Sequence, residues 1–145
     1  MIANYTTKVA ARRSLNEIMS MLAENGARHV LIDHDIEGQP CSLAFRIRDT
    51  AFKLPIYPKE VIATLEMDGA AARYRTTEHA NDIAWRIVRD WLRAQLALIE
   101  SGMVALDEIM LPYALTDGGM TALERYRAGT LLLEATDGVG RTECR

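Results

Sequence analysis

Residues 77–101 carry apolar side chains in two adjacent rows of a single helical stretch, and this feature restricts the possible folds more than any other. Ile83, Ala84, Ile87, Trp91, Ala94 and Leu98 recur at helical spacing, and Trp85, Val88, Leu92, Leu96 and Ile99 form a second row beside them. Thr77 caps the start, and Ser101-Gly102 marks the end. An apolar arc this wide needs two covering surfaces. A sheet and a first helix supply one of them; the other falls to a second copy of the chain or to residues 104–115 folding back.

The sheet is legible upstream. Residues 29–33 are a β-branched run and residues 37–40 a turn; residues 42–48 then alternate apolar and polar with period two. The alternation resumes over residues 52–56, where Pro55 cannot donate to a ladder and suggests a strand end or an edge. These signals predict a three-stranded antiparallel meander. Leu43, Phe45, Ile47, Phe52, Leu54 and Ile56 form its inner face, with Arg46, Arg48 and Lys53 outside.

Helices flank this sheet. Ser14 and Glu17 read as a capping box opening a helix with Leu15, Ile18, Met19 and Leu22 on one face, ended by Asn25-Gly26. Residues 58–67 suit a short helix with proline in its first turn. Beyond the long helix, residues 104–111 form another short helix stopped by Pro112, and Thr121 with Glu124 is a second capping box. The expected fold is α+β: helix, three-stranded antiparallel meander, long helix, then short C-terminal helices. Residues 1–135 are expected to form one domain anchored late by Leu131, Leu132 and Leu133, and the glycine-rich residues 136–145 a frayed tail.

A chain of 145 residues can bury a core without a metal or disulfide. Cys41 and Cys144 are far apart with no CxxC partner, which fits a reducing compartment. The amino terminus has no apolar signal region, and no stretch approaches the ~20 uncharged residues of a membrane span. A net charge of −3 withholds the overall positive field on which non-specific nucleic-acid binding draws, so any such contact must be local.

No catalytic constellation stands out. Asp33, His34 and Asp35 are the densest group of metal-capable side chains, but neighbours in a strand point to opposite faces, so only the two aspartates could share a site. His29 and His79 have no nucleophile close in sequence, and no GxSxG, HExxH, Walker or dinucleotide motif occurs. Neither cofactor nor metal is expected. Asp82, Arg86, Arg89, Asp90 and Arg93 read as an ion-pair ladder on a solvated helix face, or as a stripe for a partner. The element order is also that of a double-stranded-RNA-binding domain. The lysine-rich cluster that grips phosphate there is replaced here by an acidic helix start, residues 77–82, so the likeness is topological only.

A set of short strings ties the chain to a family. These are Thr6-Thr7-Lys8-Val9, Gly26-Ala27, Leu43-Ala44-Phe45-Arg46-Ile47, Leu54-Pro55, Ala84-Trp85-Arg86, residues 98–103, and Leu111-Pro112-Tyr113. In them the chain resembles, over residues 5–118, small uncharacterised proteins encoded by tailed bacteriophages and prophages. The resemblance implies a phage origin and a host-cytoplasm setting, and carries over no catalytic residue.

The expected function is that of a non-enzymatic phage accessory protein that binds a macromolecule, with a protein partner ahead of nucleic acid because the chain is net acidic. Two apolar rows on one helix also point to a homodimer held through residues 77–101, with Trp85 or Trp91 as anchor and Arg86, Arg89 and Arg93 beside them. The rival is a nucleic-acid module of phage DNA metabolism using Arg46, Arg48 and Lys53 on the outer sheet face, with Tyr57 to stack a base. A metal-dependent enzyme centred on Asp33 and Asp35 ranks last.

Overall fold

The computed structural model describes residues 1–129. The expected tail, the triple-leucine anchor and the end of the expected domain lie outside the described residues. Within them the fold is the α+β arrangement read from the sequence. Helix α1 (Ala11–Glu24) precedes strands β1 (Ala27–His34), β2 (Pro40–Ile47) and β3 (Thr50–Lys53), which pair antiparallel in the order β1-β2-β3. Helices α2 (Pro58–Met67) and α3 (Thr77–Glu100) follow, then α4 (Leu106–Met110), a 3₁₀ turn over Leu111–Tyr113, and α5 (Ala122–Arg127).

The strand register sets the inner face. Val30, Phe45 and Phe52 align across the sheet, as do Ile32 and Leu43, and the expected set Leu43, Phe45, Ile47, Phe52, Leu54 and Ile56 is buried throughout. Strand β3 ends at Lys53, earlier than the alternation implied, although the Leu54 N–H still donates to Leu43 O at 2.9 Å. Pro55 then breaks the ladder. Leu15, Ile18 and Leu22 of α1 and Trp85, Val88, Leu92 and Leu96 of α3 close over this face as one core.

The row of α3 that begins at Ile83 is covered within the same chain over its first half. Ile83 joins Leu65 of α2 and Ala70 in a second buried cluster, with Ile87, Val61, Ile2 and Tyr5 packed against it. Trp91 meets the ring of Tyr113 edge-on at 5.6 Å between centroids. The two covering surfaces are thus the sheet with α1, and α2 with the amino-terminal residues Ile2 and Tyr5 beside it. This corrects the areal argument for a dimer through α3: Trp85 is wholly buried and Trp91 half-buried, both against their own chain.

Two expected helix starts move. Thr76, one residue before Thr77, caps α3 by accepting the His79 N–H on its hydroxyl at 3.1 Å. Helix α1 begins at Ala11 rather than Ser14, because its cap comes from another helix: Asp82 Oδ1 of α3 accepts the Ala11 N–H at 2.8 Å. Ser14 is left buried inside the helix. Burial pushes the Asp82 carboxyl above its usual range; the Ala11 N–H pulls it down, Glu78 raises it, and His79 lowers it. The folded chain thus takes up this proton more readily than the unfolded one. The stability it contributes is full below the ordinary carboxylate range and is lost as pH rises through the folded value. Asp82→Asn keeps an acceptor for Ala11 without the charge, so wild type should lose stability relative to this variant as pH is raised from about 4 to about 7. Asp82→Ala, which removes the cap, should cost about 1 kcal/mol. Urea melts at the two pH values read both effects.

Candidate interaction surface

The side of the sheet away from α1 and α3 carries its own ordered rows. His29, Arg46 and Ala51 align across the three strands, as do Leu31, Ala44 and Lys53, and Asp33 lies opposite Ser42. Each row crosses strands about 4.8 Å apart, so Arg46 and Lys53 stand on adjacent rows around an apolar centre. Leu31 is 64% exposed there, and His29, Arg46 and Lys53 are exposed. Residues of this face, together with Arg28 and Leu115, line a shallow depression. Leu115 is held at its rim because its N–H donates to Ala51 O at 2.8 Å.

The expected nucleic-acid cluster is only half assembled. Arg46 and Lys53 share the outer face as expected. Arg48 is exposed but sits in the tight turn between β2 and β3, where its backbone has a φ of 54°. A two-residue connection of this kind favours positive φ, which explains the conformation and draws the side chain out of the strand's alternation. Tyr57 is exposed near the opposite end of β2, since the adjacent Pro58 borders a depression shared with Gln39 and Cys41. With Tyr57 at one end and Arg48 at the other, the four residues do not form one patch.

The expected ladder on α3 is likewise rearranged. Arg89 is buried, with Nε 2.5 Å from Glu17 Oε2 and Nη1 2.7 Å from Asp90 Oδ1. Arg86 Nη1 lies 3.3 Å from the same Glu17 oxygen, and Arg13 Nε 3.7 Å from the other. Glu17 therefore bridges three guanidinium groups where α1 crosses α3, with Asp90 as a second carboxylate on Arg89, instead of closing a capping box. A buried arginine needs such a partner, because an unpaired charge out of water is costly. Of the expected stripe, Arg93 and Asp90 alone face solvent. The stripe is mainly an internal clasp between helices, and no sequence period announces it.

Asp33 and Asp35 are engaged locally. Ser42 Oγ donates to Asp33 Oδ2 at 2.6 Å, and Asp35 Oδ1 accepts the N–H groups of Glu37 and Gln39, both at 2.9 Å. The second pattern is an aspartate folding its own turn. Among the described residues no group of three or more His, Cys, Asp or Glu side chains is placed to hold a metal ion. No described helix is long and apolar enough to cross a membrane.

No protein-family model, curated protein or solved structure matches this chain. The surface must be read from its own chemistry. Sequence reasoning missed the part that β1 plays in it. Its central Val30-Leu31-Ile32 run has no alternation, so only pairing with β2 shows that Leu31 and His29 join Arg46 on the outer face.

Proposed function

We propose that this protein acts by binding a macromolecule over the outer sheet face, and that the partner is a protein segment of mixed acidic and apolar character. The supporting observation is the exposed Leu31 on β1, with Arg46 diagonal to it on β2 and Lys53 beyond Ala44 in its own row. An exposed apolar side chain with cations on the strands beside it suits a partner that offers both a hydrophobic anchor and carboxylates. Nucleic acid is the second reading, and the same cations favour it. It is weakened because Tyr57, the aromatic side chain meant to stack a base, lies away from them. On its resemblance to the phage family, the protein is a non-enzymatic accessory factor working in the host cytoplasm.

Immobilised wild-type protein and Arg46→Glu/Lys53→Glu should be compared against lysate of the infected or lysogenic host. Wild type should retain a protein that the double variant loses, with both chains melting alike. A parallel gel-shift series over rising salt tests the second reading, since phosphate contacts weaken steeply as salt increases. A shift lost in the double variant, with no protein retained, would replace the first reading with the second. Retention that is equal for both chains would remove the outer face from the function.

A further inference from the structure

The outer edge of β1 is a long hydrogen-bonding edge left open among the described residues. The sheet order is β1-β2-β3, and every β1 residue except Ala27 and Ile32 is exposed. Edges of this length are normally blunted by proline, by lysine or by a bulge within them, because their free N–H and C=O groups template a further strand. In β1 the irregularities lie only at its ends, between Ala27 and His29 and between Asp33 and His34. The regular stretch between them, residues 29–33, holds neither proline nor lysine.

We propose that this edge pairs with β1 of a second copy of the chain, antiparallel about a two-fold axis at Leu31, so that one sheet runs through both copies. The charge pattern selects this occupant. Arg28 and His29 stand at the start of the strand, and Asp33 and Asp35, with His34 between them, at or just past its end, so the pairing that counts is His29 with Asp33. An antiparallel copy brings each basic end to an acidic one, whereas a parallel copy would set like against like. The register follows from the pleat. Strands that pair edge to edge must keep their faces in common, so residue numbers facing each other sum to an even value. With Leu31 on the axis, His29 faces Asp33 of the second copy on the outer side, twice by symmetry. On the inner side Val30 faces Ile32 of the second copy. Val30 needs such a neighbour: it lies opposite Phe45 on the core side of the sheet yet is 37% exposed. Asp33 is already held on the outer face by Ser42 Oγ. The pairing does not depend on the proposed partner; it sets two outer faces side by side.

The test uses the full chain. Light scattering at high micromolar concentration should give twice the 16.2 kDa of one chain. His29→Asp, which sets carboxylates face to face at both symmetric positions, should weaken the dimer about tenfold, since like charges directly opposite are unfavourable. His29→Asp/Asp33→Lys should restore it. In a Cys41→Ser/Cys144→Ser background, Leu31→Cys should form an intermolecular disulfide under mild oxidation, because Cα atoms facing each other across a two-fold strand pair fall within disulfide reach. Lys53→Cys, on the same face but off the axis, should not. A single-chain mass at that concentration overturns the proposal. So does a dimer indifferent to His29→Asp but lost in Trp91→Ala, which would place the contact on α3, and so does a dimer that forms only once residues 130–145 are removed. Circular dichroism melts of each variant separate lost pairing from lost folding.

Discussion

Trp85→Ala should cost about 3–5 kcal/mol of stability, a large share of what a domain of this size possesses. The side chain is wholly buried, and its indole N–H donates to Pro40 O at 2.9 Å, so it ties the middle of α3 to the first residue of β2. Removing it opens a void between helix and sheet and leaves a buried carbonyl without its donor. Trp85→Phe isolates the second effect: it retains most of the packing, and its smaller cost of about 1–3 kcal/mol measures the orphaned Pro40 carbonyl. Urea denaturation reads both. A full-strength loss that does not depend on protein concentration would show a tryptophan serving its own core. A melt unchanged by Trp85→Ala would mean that the helix does not sit on the sheet as described.

Phe45→Ala should be similarly damaging, at about 3–5 kcal/mol. Phe45 is 3% exposed, and its ring lies 5.4 Å from that of Phe52 on the neighbouring strand, so truncation removes both a core side chain and a cross-strand aromatic pair. Its sequence neighbour provides the contrast. Arg46 points to the other face, and Arg46→Ala should shift the melt by no more than about 0.5 kcal/mol. Thermal melts of the two variants side by side test the register of β2, because a slip of one residue would exchange their effects.

The elements that could be read from the sequence are those written in local periodicity. The alternation from Leu43 to Phe52 marks the inner face, and Gly26, with a φ of 93°, ends α1 where the Asn25-Gly26 pair placed the stop; the paired rows of α3 announced an arc wider than the sheet covers, but not that α2 covers the rest. What could not be read depends on partners distant in sequence. The cap of Ala11 is Asp82, and the counter-ion of Arg89 is Glu17, so residues that look like solvated charge or a local capping box instead join α1 to α3. The surface suffered for the same reason. Arg46 and Lys53 were recognisable from strand alternation, but the large apolar side chain beside them comes from Leu31, on a strand without alternation. Tyr57 was grouped with Arg48 as well, and the length of β2 separates those two.

The far side of the sheet has a consequence for how large an assembly built from this chain can become. Ala114 bridges to Phe52, and the Leu115 N–H donates to Ala51 O, so the free side of β3 already carries a short stretch of its own chain. A sheet open on both sides adds strands indefinitely and grows into fibres; one open on a single side stops after one addition. The segment after α4 therefore acts as a terminator. Under the pairing proposed for β1, growth would be limited to a closed pair, and a change that frees Leu115 from Ala51 would expose the second growing end that a filament requires.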